Sequence, residues 1–134
     1  MAIFVDSNVL LDVLTGQSDW AQWSAAALAA AADSTRLVIN AIVYAEISVH
    51  FPRIEDLEAA LARPLLHREP ISENAAFLAG KSFLAYRRRG GIKTAPLPDF
   101  FIGAHAAVSG YHLLTRDAAR YRTYFPNLPL IAPN

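Results

Sequence analysis

A chain of 134 residues that is 54% apolar has the length of one ordinary domain with a sizeable core, and too little for a second domain with a core of its own. The absence of cysteine excludes disulfide staples, thiolate nucleophiles and cysteine-held zinc, and is compatible with a reducing cytosol. The net charge of zero hides an asymmetry: residues 1–80 carry ten acids and four bases and residues 81–134 carry two and eight, so the halves stand at −6 and +6.

The N-terminus has no basic region before its first apolar run, so no signal peptide is expected, and no run reaches the roughly 18 apolar residues of a membrane span. Ala2 to Val5 reads as a buried strand that ends abruptly in Asp6. Ser7 and Asn8 can accept the first unpaired N–H groups of a helix, and Val9, Leu10, Leu11 and Val13 continue at helical spacing. Asp6 therefore sits at a strand-to-helix switch, at the end of the strand where open α/β sheets bind their ligands. Asp12, a turn and a half beyond Asp6, faces elsewhere and reads as surface.

Thr15-Gly16-Gln17 is a turn, and Ser18 begins a second helix that runs through alanines to about Asp33. Trp20 and Trp23 on it are either core or the lining of a groove for a partner. Arg36 to Ile39 is a second strand, and Asn40 caps a helix to about Phe51, stopped by Pro52. Glu46 falls beside that helix's apolar face, where a carboxylate is rarely buried unless paired or holding a metal. Arg53 to Arg63 reads as an amphipathic helix closed by Pro64, and Leu65 to His67 as a short strand whose histidine is structural.

Ser72 opens a long helix to about Arg89, ended by Gly90-Gly91. Arg87, Arg88 and Arg89 in its last turn suit the helix dipole as well as they suit a phosphate, so the basic cluster is either a solvated helix end or a nucleic-acid footprint. A loop from Ile92 to Pro98 precedes a helix with Pro98 and Asp99 in its first turn. Gly103 and Ala106 give that helix a small-sided face able to approach the sheet, and Gly110 ends it. Tyr111 to Leu114 is a fourth strand, and Thr115-Arg116-Asp117 repeats the switch seen at Asp6. Leu128 to Ile131 is the last strand. Strands alternating with helices predict an α/β fold, a three-layer α/β/α sandwich around a mostly parallel sheet of four to five strands.

Asp6, Glu46, Asp99 and Asp117 are the chemically informative residues. Each has a plain reading, Asp99 and Asp117 as helix caps above all. Two carboxylates about 4 Å apart repel by roughly 4 kcal/mol at an effective dielectric of 20. A cluster therefore needs protonation or a cation to compensate. With oxygen ligands only, Mg²⁺ or Mn²⁺ is the natural ion, and the matching reaction is phosphodiester hydrolysis.

The segments VDSNVLLDVL, NAIVYAEIS, PLPDFFIGAHA and LLTRDAARYRTYFP resemble the PIN-domain nucleases, most closely the VapC-type toxins of bacterial toxin–antitoxin pairs. The resemblance runs from Met1 to Asn134 and is specific as a set, although each motif is short. It implies a single PIN domain over residues 1–134, metal-dependent endoribonuclease activity, a homodimer or larger assembly, and inhibition by a cognate antitoxin, all in the cytoplasm and away from membranes. By position it assigns Asp6, Glu46, Asp99 and Asp117 to catalysis and metal binding, with Asn8 and Thr115 in support. No motif position departs from the family's pattern. Arg116, Arg87, Arg88 and Arg89 are candidates for phosphate contact.

Two other folds that place an acid after the first strand are disfavoured. A haloacid-dehalogenase-like phosphatase needs a second aspartate where this chain has Asn8, and a receiver domain needs an acidic pair there and a lysine after a late strand. The remaining alternative is a PIN-like module that binds RNA or protein without cutting, whose signature would be loss of one of the four acids. All four are present.

Overall fold

The computed structural model describes residues 1–61, 65–90 and 97–134. In these residues the chain runs β1 (Ala2–Val5), α1 (Ser7–Thr15), α2 (Ala21–Ser34), β2 (Arg36–Ile39), α3 (Ala41–Ser48), α4 (Ile54–Ala60), β3 (Leu66–Arg68), α5 (Glu73–Arg88), α6 (Leu97–Ser109), β4 (His112–Leu114), α7 (Ala118–Arg122) and β5 (Leu130–Ile131). The strands form one sheet in the order β3-β2-β1-β4-β5, every neighbouring pair parallel. The expected α/β/α sandwich is thus present, with five strands and a sheet that is wholly parallel.

β1 is the middle strand, and all four of its residues are buried, as a strand covered by helices on both faces requires. Right-handed crossovers put α1 to α4 on the face traversed towards β3, and α5 and α6 on the face traversed back to β4. α1 packs on α2 and α3, while α5 packs on α6. Because the chain leaves β1 for β2 on one side and returns to β4 on the other, the direction of winding reverses between β1 and β4. Asp6 lies at that reversal: its N–H donates to the Leu114 carbonyl at 2.9 Å. The carboxyl edge of the sheet at this point is the ligand crevice of such folds.

Local sequence accounts for most element ends. Asn40 caps α3 by accepting from Ile42 N and Val43 N, and Ser72 caps α5 by accepting from Ala75 N. Gly16 and Gly110 follow α1 and α6 in the left-handed conformation. Several expected boundaries move. α2 starts at Ala21, because Ser18 spends its hydroxyl on Trp20 N in a turn ahead of the helix. α3 stops at Ser48, where the Ser48 hydroxyl turns back to the Ala45 carbonyl and Val49 is left exposed. α4 closes at Leu61; Arg63 and Pro64, its expected end, lie outside the described residues. β3 is shifted by one residue because Leu66, not Leu65, is the buried leucine paired with Leu37. β4 and β5 are shorter than expected, beginning at His112 and Leu130. Most of the expected loop from Ile92 to Pro98 lies outside the described residues, and α6 already starts at Leu97.

Two expectations about side-chain placement are corrected. Gly103, expected to let α6 approach the sheet, has the space a Cβ would need taken by the Phe125 ring, so the glycine seats the segment after α7. Asp12, expected at the surface, is buried: its Oδ2 accepts from Ser24 Oγ and from Arg116 Nε, both at 2.7 Å. Helical phase does turn Asp12 away from Asp6, but α2 and the loop after β4 cover that side of α1. Of Trp20 and Trp23, only one fits the core reading. Trp23 packs on the core, whereas Trp20 is 40% exposed and meets Trp23 edge-on.

Among the described residues no helix is long and apolar enough to cross a membrane.

Candidate active site

Asp6 ends β1 with its side chain 1% exposed, and this burial is compensated by hydrogen bonds. Oδ1 accepts from Ser7 N at 2.8 Å, and Oδ2 accepts from Thr115 Oγ1 at 2.8 Å and from Tyr121 Oη at 2.9 Å. Burial raises the carboxyl above its ordinary range, while the Thr115 and Tyr121 hydroxyls and the Arg120 charge work to lower it. Asn8 supports this group indirectly: its Nδ2 donates to Thr115 Oγ1 at 3.4 Å, and its Oδ1 accepts from Arg116 N. Thr115 thus links Asn8 to Asp6 and ties the end of β4 to the end of β1.

Glu46 reaches the same edge from α3. Its Oε1 accepts from Ser7 Oγ at 2.8 Å, and its pKa is raised by burial and by the charge of Asp6. Asp99 enters from the first turn of α6 and Asp117 from the cap position of α7. Arg120 lies between these two, with Nη1 3.4 Å from Asp99 Oδ1 and Nη2 3.1 Å from Asp117 Oδ2. Asp99 is pushed up to about 6, chiefly by burial and further by the charges of Asp6, Glu46 and Asp117, with Arg120 opposing. All four acids therefore meet in one electrostatic neighbourhood.

Ser7, Arg120 and Tyr121 also belong to this site, and sequence reasoning does not single them out. Tyr121 is fully buried, and burial with the charge of Asp6 raises its hydroxyl well above the ordinary phenol value, so it stays a proton donor to Asp6. The spacing Asp117-x-x-Arg120 is a usable signal, since i and i+3 share a helical face.

The candidate arginines fall in different places. Arg116 is committed to Asp12, away from the acids. Arg87 lies over the Phe83 ring, Arg88 is exposed in the same turn, and Arg89 lies over the Tyr124 ring. Tyr124 lines a cleft of about 510 Å³ that begins at Asp99, Asp117 and Arg120 and extends over Tyr86, Phe100 and Phe125. Arg89 is thus the arginine of that run placed over a ring that lines the cleft.

The four-carboxylate donor set suits a hard divalent cation. Among the described residues no three acids draw close enough to form a coordination sphere, and Arg120 supplies the compensating positive charge. The carboxylate oxygens of Asp6, Glu46, Asp99 and Asp117 are chemically what such an ion takes, while the spacing seen here is that of a cluster bridged by Arg120.

A PIN domain family model matches residues 3–126. The chain belongs to the PIN domain family. Solved structures give the same fold. VapBC2 from Rickettsia felis, bound to a DNA fragment from its promoter, is 20% identical with a TM-score of 0.76, covering 100% of both chains. VapBC-1 from nontypeable Haemophilus influenzae is 18% identical with a TM-score of 0.73 over 98% of each chain. A toxin–antitoxin complex from Klebsiella pneumoniae is 24% identical with a TM-score of 0.67, covering 100% of this chain and 98% of that one. No curated protein matches the sequence.

The raised pKa of Asp99 in this PIN domain has a stability consequence. The folded protein favours the neutral acid relative to the unfolded chain, where an aspartate titrates near 3.8. The stabilisation is thus present below pH 4 and is lost as pH rises through about 6. In chelator, Asp99→Asn should flatten the fall in melting temperature across that window and melt above wild type at pH 7. Melting curves over a pH series test this. A variant that melts lower at pH 7 with the wild-type pH profile would remove the burial of the Asp99 charge as the cause.

Proposed function

We propose that this PIN domain is an endoribonuclease dependent on Mg²⁺ or Mn²⁺, and that it acts as the toxin of a type II toxin–antitoxin pair. The observation that supports the reading is that Asp6, Glu46, Asp99 and Asp117 feel one another's charge at the carboxyl edge of the sheet, with Arg120 between the last two. The solved structures of similar fold are toxin–antitoxin complexes, which supports an antitoxin as partner. As a toxin of this kind the chain would form one PIN domain over residues 1–134, work as a homodimer or larger assembly in the cytoplasm, and offer exposed Trp20 to the antitoxin.

A bound Mg²⁺ or Mn²⁺ would polarise the phosphodiester and make hydroxide available near neutral pH. The chain's own residues prepare for that. Ser7, Thr115 and Tyr121 fix the oxygens of Asp6 and Glu46 with hydrogen bonds that favour the ionised form. Asp99 and Asp117 face the cleft, where the phosphate would approach, and Arg120 and Arg89 at its edges offset phosphate charge. Tyr86 and Tyr124 line the cleft, and an unpaired base is the form of RNA that aromatic side chains recognise by stacking.

Purified protein incubated with structured RNAs should cut in Mg²⁺ or Mn²⁺ and stop in excess chelator. Cutting that persists in chelator would overturn the metal mechanism. RNA binding without cutting under all metal conditions would favour a non-cutting module instead.

A further inference from the structure

Arg120 carries a positive charge inside this acidic site. It bridges Asp99 and Asp117, and its charge also acts on Asp6 and Glu46. Its own guanidinium is held more firmly protonated by Asp99 and Asp117, which outweigh the effect of burial. The bridge joins two elements that are otherwise separate in sequence, the first turn of α6 and the cap of α7. The side chain is 43% exposed and stands in the wall of the cleft, so water and space are available to it on one side.

The carboxylates that Arg120 bridges are two of those assigned to the metal. A divalent cation on Asp99 and Asp117 removes the same repulsion that the guanidinium removes, and two cations on the same oxygens repel each other. Each therefore weakens the other's hold, and by linkage the weakening is reciprocal. We propose that Arg120 is the built-in counter-cation of the metal-free acid cluster, a positioning residue that holds Asp99 and Asp117 together and gives way when a divalent cation takes them. The proposal rests on the nuclease reading.

The test compares wild type, Arg120→Gln and Arg120→Lys in two readouts: Mn²⁺ binding to metal-free protein by titration calorimetry, and melting in chelator against saturating MgCl₂. Arg120→Gln keeps hydrogen-bonding groups and loses the charge. It should bind Mn²⁺ more tightly, by about fivefold or more. It should melt below wild type in chelator and recover most of that loss in MgCl₂. Arg120→Lys, which keeps the charge, should stay near wild type in both. A merely structural ion pair predicts the same loss of melting temperature with and without metal. That result, or Mn²⁺ affinity unchanged or weakened in Arg120→Gln, overturns the proposal while leaving the metal site standing. Wild type that fails to bind Mn²⁺ at all overturns the nuclease reading and this proposal with it.

Discussion

Asp6→Asn is expected to lower RNA cleavage by at least about a hundredfold while leaving the fold in place. The substitution keeps the shape of the side chain. Ser7 N needs an acceptor at Oδ1, so the new amide nitrogen takes the Oδ2 position. There it faces the hydroxyls of Thr115 and Tyr121, both of which now donate to Oδ2; the Tyr121 hydroxyl can turn to accept instead, while Thr115 Oγ1 already accepts from Asn8 Nδ2 and Asp117 N. Removing a carboxyl whose burial is unfavourable to its charge adds no electrostatic penalty to folding. On the proposed nuclease reading the loss falls on the chemistry: one carboxylate fewer to hold the cation at the end of β1. Cleavage rates measured beside melting curves separate the two effects. Wild-type cleavage by a folded Asp6→Asn protein would remove Asp6 from the mechanism.

The same contrast between local and distant partners explains what is legible in the sequence. β1 and β2 are each followed at once by a polar residue that caps a helix, and β4 by Thr115-Arg116-Asp117, whose last residue caps α7, a pattern contained within a few positions, so Asp6, Asn40 and Thr115 can be placed from their immediate neighbours in the chain. Parallel pairing then follows from the alternation of elements. Ser7, Arg120 and Tyr121 cannot be placed in the same way. The roles of Arg120 and Tyr121 depend on α7, a helix of five residues, folding back against the end of β1, and that of Ser7 on α3 bringing Glu46 to its hydroxyl. A helix so short carries almost no periodic signal. Arg116 and Arg120 look alike in the sequence, yet one is drawn to Asp12 and the other to Asp99 and Asp117. The resemblance to PIN nucleases supplies the acid set as a whole, since no spacing rule links residues 6, 46, 99 and 117.

Asp12 shows where helical phase alone misleads, and it carries the largest stability effect expected for this chain. Asp12 is 2% exposed and Ser24 is fully buried, so Asp12→Ala leaves the Ser24 hydroxyl without an acceptor in the core. An orphaned buried polar group costs about 1–3 kcal/mol. Arg116 loses its counter-charge as well, although at 32% exposure it can turn to water, which keeps this second loss below that of a fully buried pair. Together these give a destabilisation of about 3 kcal/mol, or roughly 10 °C in melting temperature for a chain of this size. Asp12→Asn keeps an acceptor for Ser24 and should lose about half as much. Ser24→Ala on its own removes both the donor and the need for an acceptor. The pair Asp12→Ala and Ser24→Ala should therefore cost less than the sum of the two single changes, and a double-mutant cycle measures the difference. The effect reaches the acids through the backbone. Arg116 N donates to Asn8 Oδ1, and Arg116 sits between Thr115 and Asp117, so freeing its side chain loosens two supports of the site at once. Asp12→Ala should accordingly cut RNA more slowly than wild type even at temperatures where it stays folded. A melting temperature within about 2 °C of wild type would show that solvent, and not this buried bond, satisfies Ser24 and Arg116.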